Sequence, residues 1–292
     1  MTLEEIAKQI ECRYQEQLNR CGLMCRLFSR AKTVASIEHK LFDENSTYLK
    51  CTSKIQDIIG IRIVVYFSDD VEVAELLVNN HHVVKRAIDA PDSCTFRPQR
   101  LNITCNMSPE FVKDFRAGLP EKYAQYIDDT YEVQVRTIFS EGWHEVEHDL
   151  RYKCKETWVG YENYSRTLNG VIASLENAEW SMQSIFRSMA QDNFNRGDFS
   201  SMLRNKLRIR LKGNNLSPEL ETYLKKTPDT ARALFEMDRT VFLLSLLCHT
   251  RKIELNYDNV LFLINRMWVQ DMDLMSLESE NIRAAITKYF NE

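Results

Sequence analysis

The sequence predicts a mixed α/β layer followed by an all-helical C-terminal region. Three observations carry this. A dense β-branched run, Ile58-Ile59-Gly60-Ile61-Arg62-Ile63-Val64-Val65-Tyr66-Phe67, is too short for a helix of that composition and reads as a buried strand. Tyr131-Glu132-Val133-Gln134-Val135-Arg136-Thr137 alternates, with Tyr131, Val133 and Val135 on one face and Glu132, Gln134 and Arg136 on the other. From Tyr164 onward, Leu168, Ile172, Leu175, Met182, Ile185 and Met189 keep helical spacing until Asn195-Arg196-Gly197 stops it.

The remaining elements follow the same rules. Residues up to about Lys50 read as helical, with Ile6, Ile10 and Tyr14 four apart on one face. A helix through Val73 to Val78 follows Ser68-Asp69-Asp70, and strands are expected near His82 to Ile88 and Arg100 to Asn106. A helix from Ile138 to about Lys153 follows the alternating strand. Further helices are expected from Pro218, Thr227-Pro228-Asp229, Tyr257-Asp258 and Ser279-Glu280. The expected domains are 1–158 and 159–292. In the second, Arg204, Lys206, Arg208, Arg210 and Lys212 alternate with apolar residues, while Leu203, Leu207 and Leu211 also share a helix face, so the period is ambiguous.

Composition narrows the function classes. The hydrophobic fraction of 44% is ample for a core, and no apolar run is long enough to span a bilayer. The first residues carry acidic side chains and no signal-peptide core, so a cytoplasmic protein with no membrane partner is expected. Eight cysteines without C-x-x-C spacing read as free thiols. The net charge of −4 argues for a small anionic ligand over a long polyanion.

Two acids open the chemistry. Asp57 stands just before the first predicted strand and Glu132 on the polar face of another, an arrangement that can hold magnesium through oxygen ligands. On alternation alone, a turn cap and a surface pair with Arg136 explain them as well. Around them, Arg30-Ala-Lys32 precedes Ser36-Ile37-Glu38-His39-Lys40, and Lys32, Ser36 and Lys40 are spaced to line one side of a helix. Such a stripe suits a polyphosphate, and equally a solvated face. His144-Glu145-Val146-Glu147-His148 has the H-E-x-x-H outline of a zinc protease, but no third ligand stands out downstream and zinc is the weaker reading.

Taken in order, four segments resemble the synthetase domain of the RelA/SpoT family, the alarmone synthetases. They are Arg30-Ala-Lys32-Thr-Val-Ala-Ser36-Ile37-Glu-His-Lys40, Asp57-Ile-Ile-Gly60-Ile-Arg62, Glu132-Val-Gln134-Val-Arg136-Thr137, and Trp143 through Glu147-His148 to Tyr152-Lys153. The resemblance ends near residue 160. It implies a nucleotidyltransferase-like mixed sheet flanked by helices and a pyrophosphokinase using Mg2+, with ATP as donor. Asp57 and Glu132 would be the metal and catalytic residues. Arg30 and Arg62 would sandwich the adenine, Lys32, Ser36 and Lys40 would hold phosphates, and Gln134, Arg136, His148 and Lys153 would support the site.

The acceptor motif departs from the family's G-Y-R-S-L-H. The equivalent stretch is Thr95-Phe96-Arg97-Pro98-Gln99-Arg100: Phe96 keeps a stacking face without the phenol, Arg97 is kept, and Arg100 replaces histidine. Three functions stay open. They are synthesis of a guanosine alarmone (from GDP or GTP) or an adenosine alarmone, pyrophosphorylation of the tRNA 3′ end as in toxic members of the family, and non-catalytic nucleotide sensing. The helical C-terminal part is expected to regulate or neutralise the first domain, and the sequence leaves a homo-oligomer open.

Overall fold

The computed structural model describes residues 1–43, 46–49, 53–88, 101–249 and 253–290. The chain divides into two compact units. Unit 1 takes Met1–Glu16 and Cys25–Asn177, and unit 2 takes Gln17–Met24 and Ala178–Glu292.

Unit 1 is built on a five-stranded sheet. Along the chain come α1 (Leu3–Arg20), β1 (Cys25–Ala31), α2 (Val34–Phe42), β2 (Ile59–Val65), α3 (Asp70–Asn79), β3 (Val83–Ile88), β4 (Leu101–Asn106), α4 (Pro109–Gly118), β5 (Thr130–Thr137), α5 (Ile138–Glu147) and α6 (Glu162–Arg196), whose first half belongs to this unit. The strand order is β1-β2-β5-β4-β3. Among the described residues, the β2–β5 pair is parallel and the β1–β2, β3–β4 and β4–β5 pairs are antiparallel. This is the mixed sheet with helices that the sequence predicts.

One expectation fails. Residues up to about 50 are not helical throughout, because β1 occupies Cys25–Ala31 and pairs with β2 along its whole length. As an edge strand it buries only Cys25 fully, and Phe28 is half exposed, so its alternation carries little contrast between faces. The helical stripe expected for Lys32, Ser36 and Lys40 fails with it. Lys32 precedes α2, and its backbone N–H donates to the Ile58 carbonyl at 2.8 Å.

Strand periodicity sorts the sheet into two faces. Ile59, Ile61, Ile63, Val133, Val135, Ile103 and Cys105 point one way and are buried. Each aliphatic side chain withdrawn there contributes about 1.5–3 kcal/mol. On this side Tyr14 of α1 brings its hydroxyl to within 3.0 Å of that of Tyr131. Val73, Ala74, Leu77 and Val78 of α3 are buried, as are Phe111 and Phe115 of α4. The other face carries the polar members of the same strands.

Unit 2 is helical. Beyond the second half of α6 it holds α7 (Phe199–Leu207), α8 (Pro218–Lys226), α9 (Pro228–Glu236), α10 (Arg239–Cys248), α11 (Tyr257–Ile264), α12 (Met272–Ser276) and α13 (Glu280–Phe290). Its core includes Leu203, Leu207, Phe242, Leu243 and Val260 to Ile264. The ambiguous segment resolves in sequence. Helix α7 buries Leu203 and Leu207, then ends on Arg208 in the left-handed region (φ 49°), after which Ile209 bridges to Leu23. The cations there do not share one face, since Arg208 is buried, Arg204 donates to the Tyr257 hydroxyl at 2.7 Å and Lys212 pairs with Glu254.

Among the described residues, no helix is long and apolar enough to cross a membrane.

Candidate active site

The polar face of the sheet is organised in rows set by strand register. Arg30, Gly60, Glu132 and Thr104 form one row across β1, β2, β5 and β4; Phe28, Arg62, Gln134 and Asn102 form the next. Because Gly60 has no side chain, the first row has a gap between Arg30 and Glu132. A Cβ at Gly60 would lie 3.7 Å from the Arg30 side chain, so alanine fits there but anything larger enters the gap.

A pocket of about 420 Å³ opens over these rows, lined by residues that include Arg30, Asp57, Gly60, Arg62, Glu132 and Gln134. A second pocket of about 410 Å³ shares Arg30, Arg62 and Gln134 with it and adds Arg136, His148 and Lys153. Sequence-distant candidates therefore meet on one surface.

Asp57 is the most constrained of them. It receives Lys32 Nζ at 2.8 Å on Oδ2 and Lys40 Nζ at 2.8 Å on Oδ1. Burial pushes its carboxyl up, but the two ammonium groups outweigh burial and hold it below the ordinary aspartate range. For Lys40, burial pulls down and Asp57 pulls up; the net result is a raised ammonium. Both partners stay ionised at neutral pH, and a fixed cluster of one anion and two cations stands at the pocket's edge.

Glu132 accepts a hydrogen bond from Gln134 Nε2 at 2.7 Å. The Gln134 carbonyl oxygen in turn accepts from Arg62 Nε (3.3 Å) and Arg136 Nη2 (3.2 Å). Arg62 also pairs with Glu141 and Glu145, and Arg136 Nη1 with Glu141 at 2.9 Å. Sequence reasoning assigned no role to Glu141 and Glu145. Their spacing of four on α5 was a signal for a shared helix face, but their partner Arg62 lies in a distant strand.

Local sequence explains how α5 reaches the site. Thr137 ends β5 and caps α5: its hydroxyl accepts from the Ser140 N–H at 3.1 Å, and Ser140 Oγ accepts from the Thr137 N–H at 3.1 Å. This reciprocal cap starts the helix without a loop. After Glu147 the chain winds into a π-helical turn, His148–Tyr152. His144 is buried beside Trp143, whereas His148 is half-buried, stacks on Tyr152 (5.7 Å between centroids) and contacts Asp149. Lys153 also pairs with Asp149, at 2.7 Å.

Ser36 stands apart from the rest. It is exposed near the start of α2, with its hydroxyl 3.0 Å from that of Thr33, and it is absent from the walls of both pockets. The acceptor-side candidates Phe96, Arg97 and Arg100 lie outside the described residues.

Comparison with known proteins finds a family resemblance over this surface. Residues 29–157 match the model described as a region found in RelA / SpoT proteins. No curated protein matches the chain. Similar solved structures include a GTP pyrophosphokinase family protein from Streptococcus pneumoniae (18% identity, TM-score 0.46, covering 63% of this chain and 94% of that one). Another is small alarmone synthetase 1 from Bacillus subtilis (21% identity, TM-score 0.46, 65% and 94%). The same synthetase bound to AMPCPP is also similar (18% identity, TM-score 0.42, 65% and 93%). Residues 29–157, which hold the site residues just described, thus carry the region found in RelA / SpoT proteins.

Proposed function

We propose that unit 1 transfers pyrophosphate from ATP to the 3′-hydroxyl of a nucleotide, giving a guanosine alarmone from GDP or GTP. The observation that carries this is the meeting of Asp57, Lys32 and Lys40 at the edge of a pocket that also holds Glu132, Arg30 and Arg62. Arg30 and Arg62 supply planar cations for the adenine, while Lys32 and Lys40 supply contacts to the phosphates. Glu132 takes the proton from the attacking 3′-hydroxyl. The new bond joins that oxygen to the β-phosphorus, the α–β bridge breaks, and AMP leaves.

The donor set suits magnesium, because two carboxylates in one pocket offer hard oxygen ligands. Asp57 and Glu132 would hold it, and when bound it would offset charge on the phosphate oxygens. The chain's own cations serve the same end, as electrostatic stabilisation is the main lever in phosphoryl transfer. Gln134 and Arg136 orient Glu132 and Arg62, and His148 and Lys153 line the adjoining pocket for the acceptor.

A second acceptor is favoured by one sequence observation. Thr95-Phe96-Arg97-Pro98-Gln99-Arg100 replaces the family's guanine-stacking motif, which supports the tRNA 3′ end as an alternative to GDP or GTP. Incubation with labelled ATP and GDP, GTP or deacylated tRNA separates the cases. Label on a guanine nucleotide supports the alarmone reading. Label on tRNA alone replaces it with the second, and no transfer to any acceptor leaves nucleotide sensing. The helical part 159–292 is read as regulatory in a cytoplasmic enzyme; deleting the residues after about 160 should change the rate of label transfer.

A further inference from the structure

Glu141 occupies a junction that the reaction as drawn does not use. Its side chain is 14% exposed, and its two oxygens face two different arginines. One takes Arg62 Nη1 and the other takes Arg136 Nη1 at 2.9 Å. Glu145, one turn further along α5 and 52% exposed, takes the same Arg62 nitrogen at 2.5 Å. Arg62 and Arg136 both also donate to Gln134, whose amide nitrogen faces Glu132. A continuous chain of hydrogen bonds therefore runs from α5, through two guanidinium groups and one amide, to the candidate base.

The physics of that chain is directional. Two guanidinium groups converging on one amide oxygen repel each other, and a carboxylate shared between them offsets the repulsion in a partly dry site. With both arginines supplying donors, the Gln134 oxygen must face them, which turns its N–H₂ towards Glu132. Glu141 is anchored in turn, because the Thr137–Ser140 cap fixes the first turn of α5 to the end of β5. Its position follows from β5, the same strand that carries Glu132 and Gln134.

We propose that Glu141 is a positioning residue: it holds Arg62 against the nucleotide donor and, through Arg136 and Gln134, fixes the orientation of Glu132. The inference rests on the pyrophosphokinase reading. Glu145 has the lesser part, since it contacts Arg62 alone and stands in solvent.

The test uses the full chain, steady-state rates at varied ATP with the acceptor found by label transfer, and equilibrium binding of a non-hydrolysable ATP analogue. Glu141→Gln should weaken analogue binding and raise the KM for ATP by about tenfold, with a fall in kcat, while the acceptor KM stays put. Glu145→Gln should give a smaller loss. In an Arg62→Ala background, Glu141→Gln should add less than about twofold to the KM for ATP, because the group it acts through is gone. Glu141→Asp keeps the charge and gives a second variant if Glu141→Gln loses its cooperative melt; it should fall between wild type and Gln.

Three results overturn the proposal. One is a Glu141→Gln protein with wild-type KM and binding. Another is a loss that multiplies in full with that of Arg62→Ala, and the third is a fall in kcat alone, which marks a smaller active fraction. A wild type that neither binds the analogue nor transfers label removes the functional reading, and this one with it. An active wild type beside an unaffected Glu141→Gln removes only the positioning role.

Discussion

The two faces of the sheet are made by the same strands and obey opposite rules. On the apolar face, Ile61, Ile63, Val133 and Ile103 are buried, and any shape-matched aliphatic would serve nearly as well. On the polar face, Arg30, Arg62, Glu132 and Gln134 alternate with them, and each has a specific partner or pocket. A one-residue slip in register would exchange the two sets. The core thus fixes the site: burying the aliphatics leaves the charged residues one way to point.

The sharpest way to break this division is Asp57→Asn. Transfer should fall by about 100- to 1,000-fold or more, measured with labelled ATP, while the protein still melts cooperatively. Full activity would remove Asp57 from the chemistry. The apolar counterpart is Ile63→Ala, expected to cost about 2–5 kcal/mol in urea denaturation and to leave the KM for ATP unchanged in the protein that remains folded. A changed KM with normal stability would show that the faces are not separable.

Gly60 tests the boundary between them. Gly60→Val should lower ATP affinity about tenfold by filling the gap beside Arg30, with Gly60→Ala close to wild type. Equal effects of both would trace the loss to the backbone instead of the pocket. The smallest effect is in acid. The folded Asp57 carboxyl titrates below its unfolded value, so its contribution is complete above the ordinary value of about 3.9 and is lost as pH falls through the folded value. Wild type should therefore lose melting temperature more steeply than Asp57→Asn below about pH 4. Parallel curves would mean that the lysine pairs stabilise nothing.

How much of this was legible depended on contrast between faces. β2 and β5 were readable because they sit inside the sheet, where aliphatics and polar groups alternate against a buried side. β1 was not. Cys25-Arg-Leu-Phe-Ser-Arg-Ala is an edge strand with an exposed phenylalanine, and its arginines and leucine are good helix formers. Asp57, Glu132 and their flanking cations could be listed from ordered motifs, but the pairing of both lysines with Asp57 depends on the turn after β1. The Arg62–Glu141 pair joins residues 79 apart, and no local pattern encodes it.

The parallel pairing of β2 with β5 has a consequence for how this protein comes into being. Arg62 and Gln134 lie 72 residues apart, and α3, β3, β4 and α4 all intervene. A contact of that separation carries a loop-closure cost before it returns any stabilisation, so the central pair belongs to the late, slow part of folding. During synthesis, Asp57, Lys32 and Lys40 leave the ribosome well before Glu132 does. The growing chain can hold a cluster of charges, but it has no complete candidate site until β5 slots between β2 and β4.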